Sequence, residues 1–281
     1  MLINLLLALQ LLPVPAAALE KGIYGSDDRL DIFAAAPRYR QAARSVAAVM
    51  DIDIAPDAQG LTDLKLQPFK TAFSLCAEER FSDQPVGGFC TASLVGPDLV
   101  LTAGHCLPAA EESCKTKKFV FGYQLGEGGE WPSKLPAADI YSCAEILGYS
   151  NGATRDFAVI RLDRPVSGRP PLEINRAAAP QKGTPVFVIG TPMGLPLKVA
   201  DGASVRSNGE DFFMTDLDTY GGNSGSPVFN AETGRMEGIL TGGGQDLQLK
   251  DDACVISYRQ GQEEGTGEMV SVAAQFSEYI P

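Results

Sequence analysis

From Phe69 onward, apolar residues come in short runs separated by glycine, proline and polar turn residues. Runs this brief and closely spaced suit strands rather than helices. Residues 71–77, 88–95, 99–102, 119–123, 140–146 and 157–162 form a first set. The stretch Arg164-Pro165-Val166-Ser167-Gly168-Arg169-Pro170-Pro171 then interrupts the pattern, and its prolines mark it as the crossing between two halves. A second set covers 186–190, 197–199, 203–205, 212–215, 227–229, 237–240 and 269–272. Dense strands without intervening helices predict an all-β architecture. A short helix from about Val272 to Tyr279 closes the chain, with Val272, Phe276 and Ile280 on its packed face. Upstream, Tyr39, Ala42, Ala43, Val46 and Met50 recur at helical spacing, yet 45–50 reads equally well as a first strand. Both readings stay open. The turn-rich Ile189-Gly190-Thr191-Pro192-Met193-Gly194-Leu195-Pro196 is read as a loop joining strands, with a cleft wall as the alternative.

Composition narrows the function. The 281 residues are 44% hydrophobic, enough for one large domain or two coupled halves. With 35 acidic against 23 basic residues the net charge is −12, so no nucleic-acid partner is expected. Met1 to about Leu12 is apolar and Ala16-Ala17-Ala18 supplies small residues for a signal peptidase, so 1–18 is read as a signal peptide cleaved after Ala18. Its first residues carry no lysine or arginine, which is atypical. Asn4, Gln10, Pro13 and Pro15 break the run below the length of a membrane span. Six cysteines in an exported chain imply disulfides. No C-x-x-C occurs and the one histidine has another role, so a zinc site is not expected, and the serine chemistry described next implies no metal and no organic cofactor.

The chemistry centres on Asp218-Thr219-Tyr220-Gly221-Gly222-Asn223-Ser224-Gly225-Ser226-Pro227. Glycines around a serine allow a tight turn that projects its hydroxyl, and the N–H groups of Gly222 and Ser224 can converge on a developing oxyanion. A lipase-type elbow would need glycine where Ser226 stands, which removes the α/β-hydrolase motif. A serine needs a base, and His105 is the sole histidine, in Leu101-Thr102-Ala103-Gly104-His105-Cys106. The base needs a carboxylate, and Asp156 opens the apolar run Phe157-Ala158-Val159-Ile160.

Thr-Ala-Gly-His-Cys and Gly-Asn-Ser-Gly-Ser-Pro resemble the histidine and serine motifs of the chymotrypsin-like serine peptidases. The order His105, Asp156, Ser224 is theirs too. The likeness runs from about Ser74 to the C-terminus, in particular to bacterial secreted trypsin-like and glutamyl-endopeptidase-like enzymes. It implies two six-stranded antiparallel β-barrels with the active site between them, residues 67–168 in the first and 169–281, with the helix, in the second. Residues 19–66 are then an N-terminal arm or propeptide, with a first strand within it as an open alternative. It further implies a monomeric, secreted or periplasmic endopeptidase acting on protein or peptide substrates. Cys90–Cys106 matches the family's bridge beside the histidine. Cys114 and Cys143 flank strand-like runs and form the favoured second pair, leaving Cys76–Cys254, although other pairings of these four stay open. Asp218, Thr219, Leu240 and Thr241 fall where the family lines its specificity pocket. Asp218 there suggests a preference for basic residues, with glutamate preference as the alternative. Asn223 replaces the aspartate that trypsin-like zymogens keep before the serine, so their ammonium-triggered switch is not expected. A catalytically silent binding homologue is the remaining reading, disfavoured because all three triad residues are present.

Overall fold

Asp156–Leu162 is buried at every position except Arg161, and the reason lies in what covers its two faces. Side chains alternate across a strand. Ala158, Ile160 and Leu162 point into one core with Val49, Val100, Phe119 and Tyr141, while Phe157 and Val159 enter a second with Phe187, Ile189, Val199 and Phe229. The first core is the inside of one barrel and the second is the seam against another. A strand with both faces buried reads as a continuous apolar run.

The computed structural model describes residues 22–251 and 253–281; the expected signal segment 1–18 lies outside them. The barrel strands are numbered here in chain order. The first barrel holds Val46–Met50 (β1), Cys90–Leu94 (β2), Leu99–Thr102 (β3), Lys118–Phe121 (β4), Ile140–Asn151 (β5) and Asp156–Leu162 (β6), closed in the order β5-β6-β3-β2-β1-β4. The second holds Pro185–Gly190 (β7), Lys198–Asn208 (β8), Phe212–Thr215 (β9), Pro227–Asn230 (β10), Met236–Gly242 (β11) and Glu268–Val272 (β12). It runs β7-β10-β11-β12-β9-β8 and closes through the pairing of β8 with β7. Every barrel pairing is antiparallel. The second interior is filled by Val186, Val188, Val205, Phe213, Val228, Leu240 and Val270.

Three local readings of the sequence change. The stretch 37–50 holds both alternatives in succession, a helix at Pro37–Ala43 and then β1. Residues 71–77 were expected as a strand, but 71–73 belong to a helix at Phe69–Phe73, in which Phe69 and Phe73 at i and i+4 pack with ring centroids 5.3 Å apart, and Ser74 ends the turn at φ 54°. The runs 197–199 and 203–205 belong to one strand, β8, with a bulge where Val186 and Val188 face Ala203 and Ala200. The closing helix, Ala273–Tyr279, is of 3-10 type and sets Ala273, Phe276 and Ile280 into the seam.

The N-terminal segment crosses to the second half. Ile23–Tyr24 pairs in parallel with Arg259–Gln260, and Leu30–Asp31 pairs with β8. Cys90 is bonded to Cys106, Cys114 to Cys143 and Cys76 to Cys254. Among the described residues no helix is long and apolar enough to cross a membrane.

Candidate active site

His105 sits in a 3-10 turn, Gly104–Cys106, directly after β3. Gly104 is required there: a Cβ would lie 1.9 Å from the Ser150 carbonyl oxygen, so the turn can press against β5 only without a side chain. Asp156, 6% exposed at the start of β6, holds His105 at two points. Its Oδ1 accepts the His105 backbone N–H at 2.9 Å and its Oδ2 lies 2.5 Å from His105 Nδ1. An ionised carboxylate only accepts, so Nδ1 carries the proton and Nε2 is left with a free lone pair.

The loop of Ser224 lies against the same end of the first barrel. The Ser224 carbonyl accepts the Thr91 N–H at 2.8 Å and stands 3.8 Å from Cys106 Sγ, the residue after His105. The Gly225 N–H donates to the Leu240 carbonyl at 2.7 Å, and the Leu240 N–H donates to Ser226 at 2.9 Å, so β11 fixes the loop from the other barrel. Gly222 has φ +91°, and a Cβ there would lie 2.3 Å from the Thr191 carbonyl oxygen. Its own carbonyl takes the hydroxyls of Thr91 and Thr191 at 2.9 and 3.1 Å. The Gly221 carbonyl accepts the Met193 N–H at 2.6 Å. A trans peptide points its N–H opposite to its C=O, so this bond turns the Gly222 N–H to the other side of the loop. Buried Asn223 donates its N–H to Tyr220 at 3.0 Å and accepts from the Ser226 hydroxyl at 3.4 Å.

The four residues expected to line a specificity pocket are placed differently from one another. Asp218 is 3% exposed, and both its oxygens are taken by the N-terminal segment: Oδ1 accepts the Tyr24 N–H at 2.8 Å and Oδ2 the Asp28 N–H at 3.0 Å. Burial raises its carboxyl to about 6. Burial, then the charge of Asp218, raises the Asp28 carboxyl to about 9. Thr219 donates its hydroxyl to Glu268, a carboxylate in β12 with no exposure. Leu240 is wholly buried in the second barrel. Thr241 shares a hydrogen bond with Ser271 at 3.2 Å.

Glu268 and Thr91 were not singled out by the sequence, and Thr191 was met only as part of the loop 189–196. The acidic start of the largely apolar stretch 268–272 was the one local hint of Glu268. Cys90, His105 and Cys106 offer atoms within 4.8 Å of one another. The two sulfurs are bonded together, which leaves no thiolate to bind a metal.

The architecture has solved counterparts. A Glu endopeptidase aligns over 92% of this chain and 98% of its own, with a TM-score of 0.54 at 17% identity. The Vibrio cholerae VesB protease aligns over 90% of this chain and 65% of its own (TM-score 0.51, 16% identity). A serine endoprotease from Yersinia pestis covers 86% and 63% (TM-score 0.50, 18% identity). No curated protein matches the sequence. The family model of the trypsin-like peptidase domain matches residues 90–239, more than half of the chain. With its two closed barrels and that match, the chain belongs to the trypsin-like peptidase family and is a serine endopeptidase.

Proposed function

We propose that the chain is an exported endopeptidase in which His105, Asp156 and Ser224 form the catalytic triad. The observation that carries this is the two-point grip of Asp156 on His105 at the end of the barrel where the Ser224 loop docks. His105 Nε2 takes the Ser224 hydroxyl proton as Oγ attacks the peptide carbonyl, then returns it to the departing amine. Asp156 keeps the imidazole in the tautomer that leaves Nε2 free and stabilises the cation. The N–H groups of Gly222 and Ser224 receive the oxyanion, where one donor is worth about 3 kcal/mol. Uncharged Asn223 is bonded within its own loop, which supports a site that forms on folding without an ammonium trigger. The three disulfides support an oxidising compartment, secreted or periplasmic.

Cleavage preference depends on what occupies Asp218. A substrate lysine or arginine would have to displace the Tyr24 or Asp28 N–H, and each buried donor left unpaired costs about 1–3 kcal/mol. The basic preference expected from Asp218 therefore loses its physical basis. The second reading, a preference for glutamate, gains support from the antiparallel bridge between Gly22 and Thr219. A backbone cut before Gly22 would create an α-ammonium beside that pocket strand, able to pair with a substrate carboxylate.

Digestion of a peptide library by the exported protein, with N-terminal sequencing of the enzyme, tests this. Cuts after glutamate by a chain that starts at Gly22 are the expected outcome. Cuts after lysine or arginine that weaken in Asp218→Ser would restore the basic preference.

A further inference from the structure

Thr91 and Thr191 are wholly buried, on β2 of the first barrel and directly after β7 of the second, and the triad uses neither. Their hydroxyl oxygens stand 2.9 Å apart. Both reach one acceptor, the Gly222 carbonyl, and the Thr191 N–H donates to Thr91 Oγ1 at 3.1 Å, so the two side chains are also locked to each other. Thr91 is fixed in turn, since its own carbonyl accepts the Thr102 hydroxyl at 2.7 Å. The Thr191 hydroxyl also stands 3.2 Å from the carbonyl of Cys90, the residue bonded to Cys106 beside His105.

Gly222 needs such a hold, because it carries no side chain to anchor it and sits at φ +91°. The peptide planes around it are fixed through their carbonyls. That of Gly221 accepts the Met193 N–H at 2.6 Å, that of Gly222 the two threonine hydroxyls, and that of Asn223 the Ser226 N–H at 2.9 Å. The N–H of the middle plane, which belongs to Asn223, donates to Tyr220 at 3.0 Å. That rigid plane separates the Gly222 N–H from the Ser224 N–H, so its orientation sets how the two converge. Its carbonyl is reached from both barrels.

We infer that Thr91 and Thr191 are positioning residues: one hydroxyl from each barrel holds the Gly222 carbonyl, and this clasp aims the oxyanion-binding N–H groups once the barrels are seated on each other. The inference rests on the proposed oxyanion site at Gly222 and Ser224, and it is independent of which residue precedes the cut. Valine in place of either threonine keeps the shape but leaves a buried carbonyl short of a donor, whereas serine keeps the hydroxyl.

The test compares the wild type, Thr91→Val, Thr191→Val and Thr91→Ser, each as the full chain, on a peptide ester carrying the preferred residue and on its thiono analogue, in which sulfur replaces the carbonyl oxygen. Sulfur is the larger and weaker acceptor, so the oxygen ester draws more on the N–H groups. Loss of a whole donor costs about 10²–10³ in rate, and a donor turned aside costs less. In each valine variant kcat/KM on the oxygen ester should fall roughly 10- to 100-fold, and the oxygen-to-sulfur rate ratio should fall by a similar factor. Thr91→Ser should keep both close to the wild type. The two positions are separate tests, so one valine variant that does not fold leaves the other to decide. Unchanged rates in both valine variants, a fall shared equally by the two esters, or failure of both variants to fold would overturn the clasp and leave the peptidase reading standing. A wild type without Ser224-dependent hydrolysis of the oxygen ester would overturn the peptidase reading and the clasp with it.

Discussion

Asp156 contacts His105 through both the backbone and the ring, so its two oxygens set the position and the tautomer of the base together. Asp156→Asn would keep the shape but place an amide donor against Nδ1, which forces the proton onto Nε2 and blocks proton uptake from the serine. We expect kcat to fall roughly 10⁴-fold on a peptide chosen from the library, with the unfolding temperature little changed. A loss of less than about tenfold would remove Asp156 from the proposed triad. At this scale the sequence was informative wherever a role is written locally. A histidine after a strand, a serine among glycines and an aspartate opening an apolar run each carry their own context. Asp218 was not legible, because its fate is decided by Tyr24 and Asp28, 194 and 190 residues away in the chain. The same distance effect hid Glu268 beneath Thr219.

The element that departs most from the sequence reading is the N-terminal arm, which lies in the second barrel although the chain next builds β1 of the first. Asp28, on this arm, is buried beside Asp218, and the charges of Asp218, Asp201 and Asp27 add to burial in raising its carboxyl. In the folded chain Asp28 keeps its proton to about pH 9, whereas an unfolded aspartate releases it near 3.8. The raised folded value means that its contribution is complete below about pH 4 and drains away as pH rises toward 9. Asparagine cannot ionise. Thermal unfolding across pH 4 to 9 should therefore show Asp28→Asn gaining on the wild type as pH rises. Parallel curves would contradict the raised Asp28 carboxyl. Other elements misread from sequence have equally physical causes. The helix Phe69–Phe73 is short enough that its i, i+4 phenylalanines look like strand residues, and a bulge at Asp201-Gly202 looks like a turn.

For the whole molecule, strand density alone announced an all-β fold, and the runs that stayed apolar at successive positions were those buried on two sides. Phe157 to Ile160 read as continuous because one face fills the first barrel and the other fills the seam. Closure was harder to see, since β1 lies in a stretch that mixes helical and strand periodicity. The seam brings the His105 turn of one barrel against the Ser224 loop of the other, and on that meeting rests the proposal that Ser224 is the nucleophile. Its most direct test is reaction of the folded protein with a serine-directed fluorophosphonate, followed by peptide mapping, with Ser224→Ala alongside. One adduct is expected, on Ser224, with a variant that folds like the wild type but neither labels nor cleaves peptides. An adduct on another serine, or peptidase activity retained in Ser224→Ala, would contradict it.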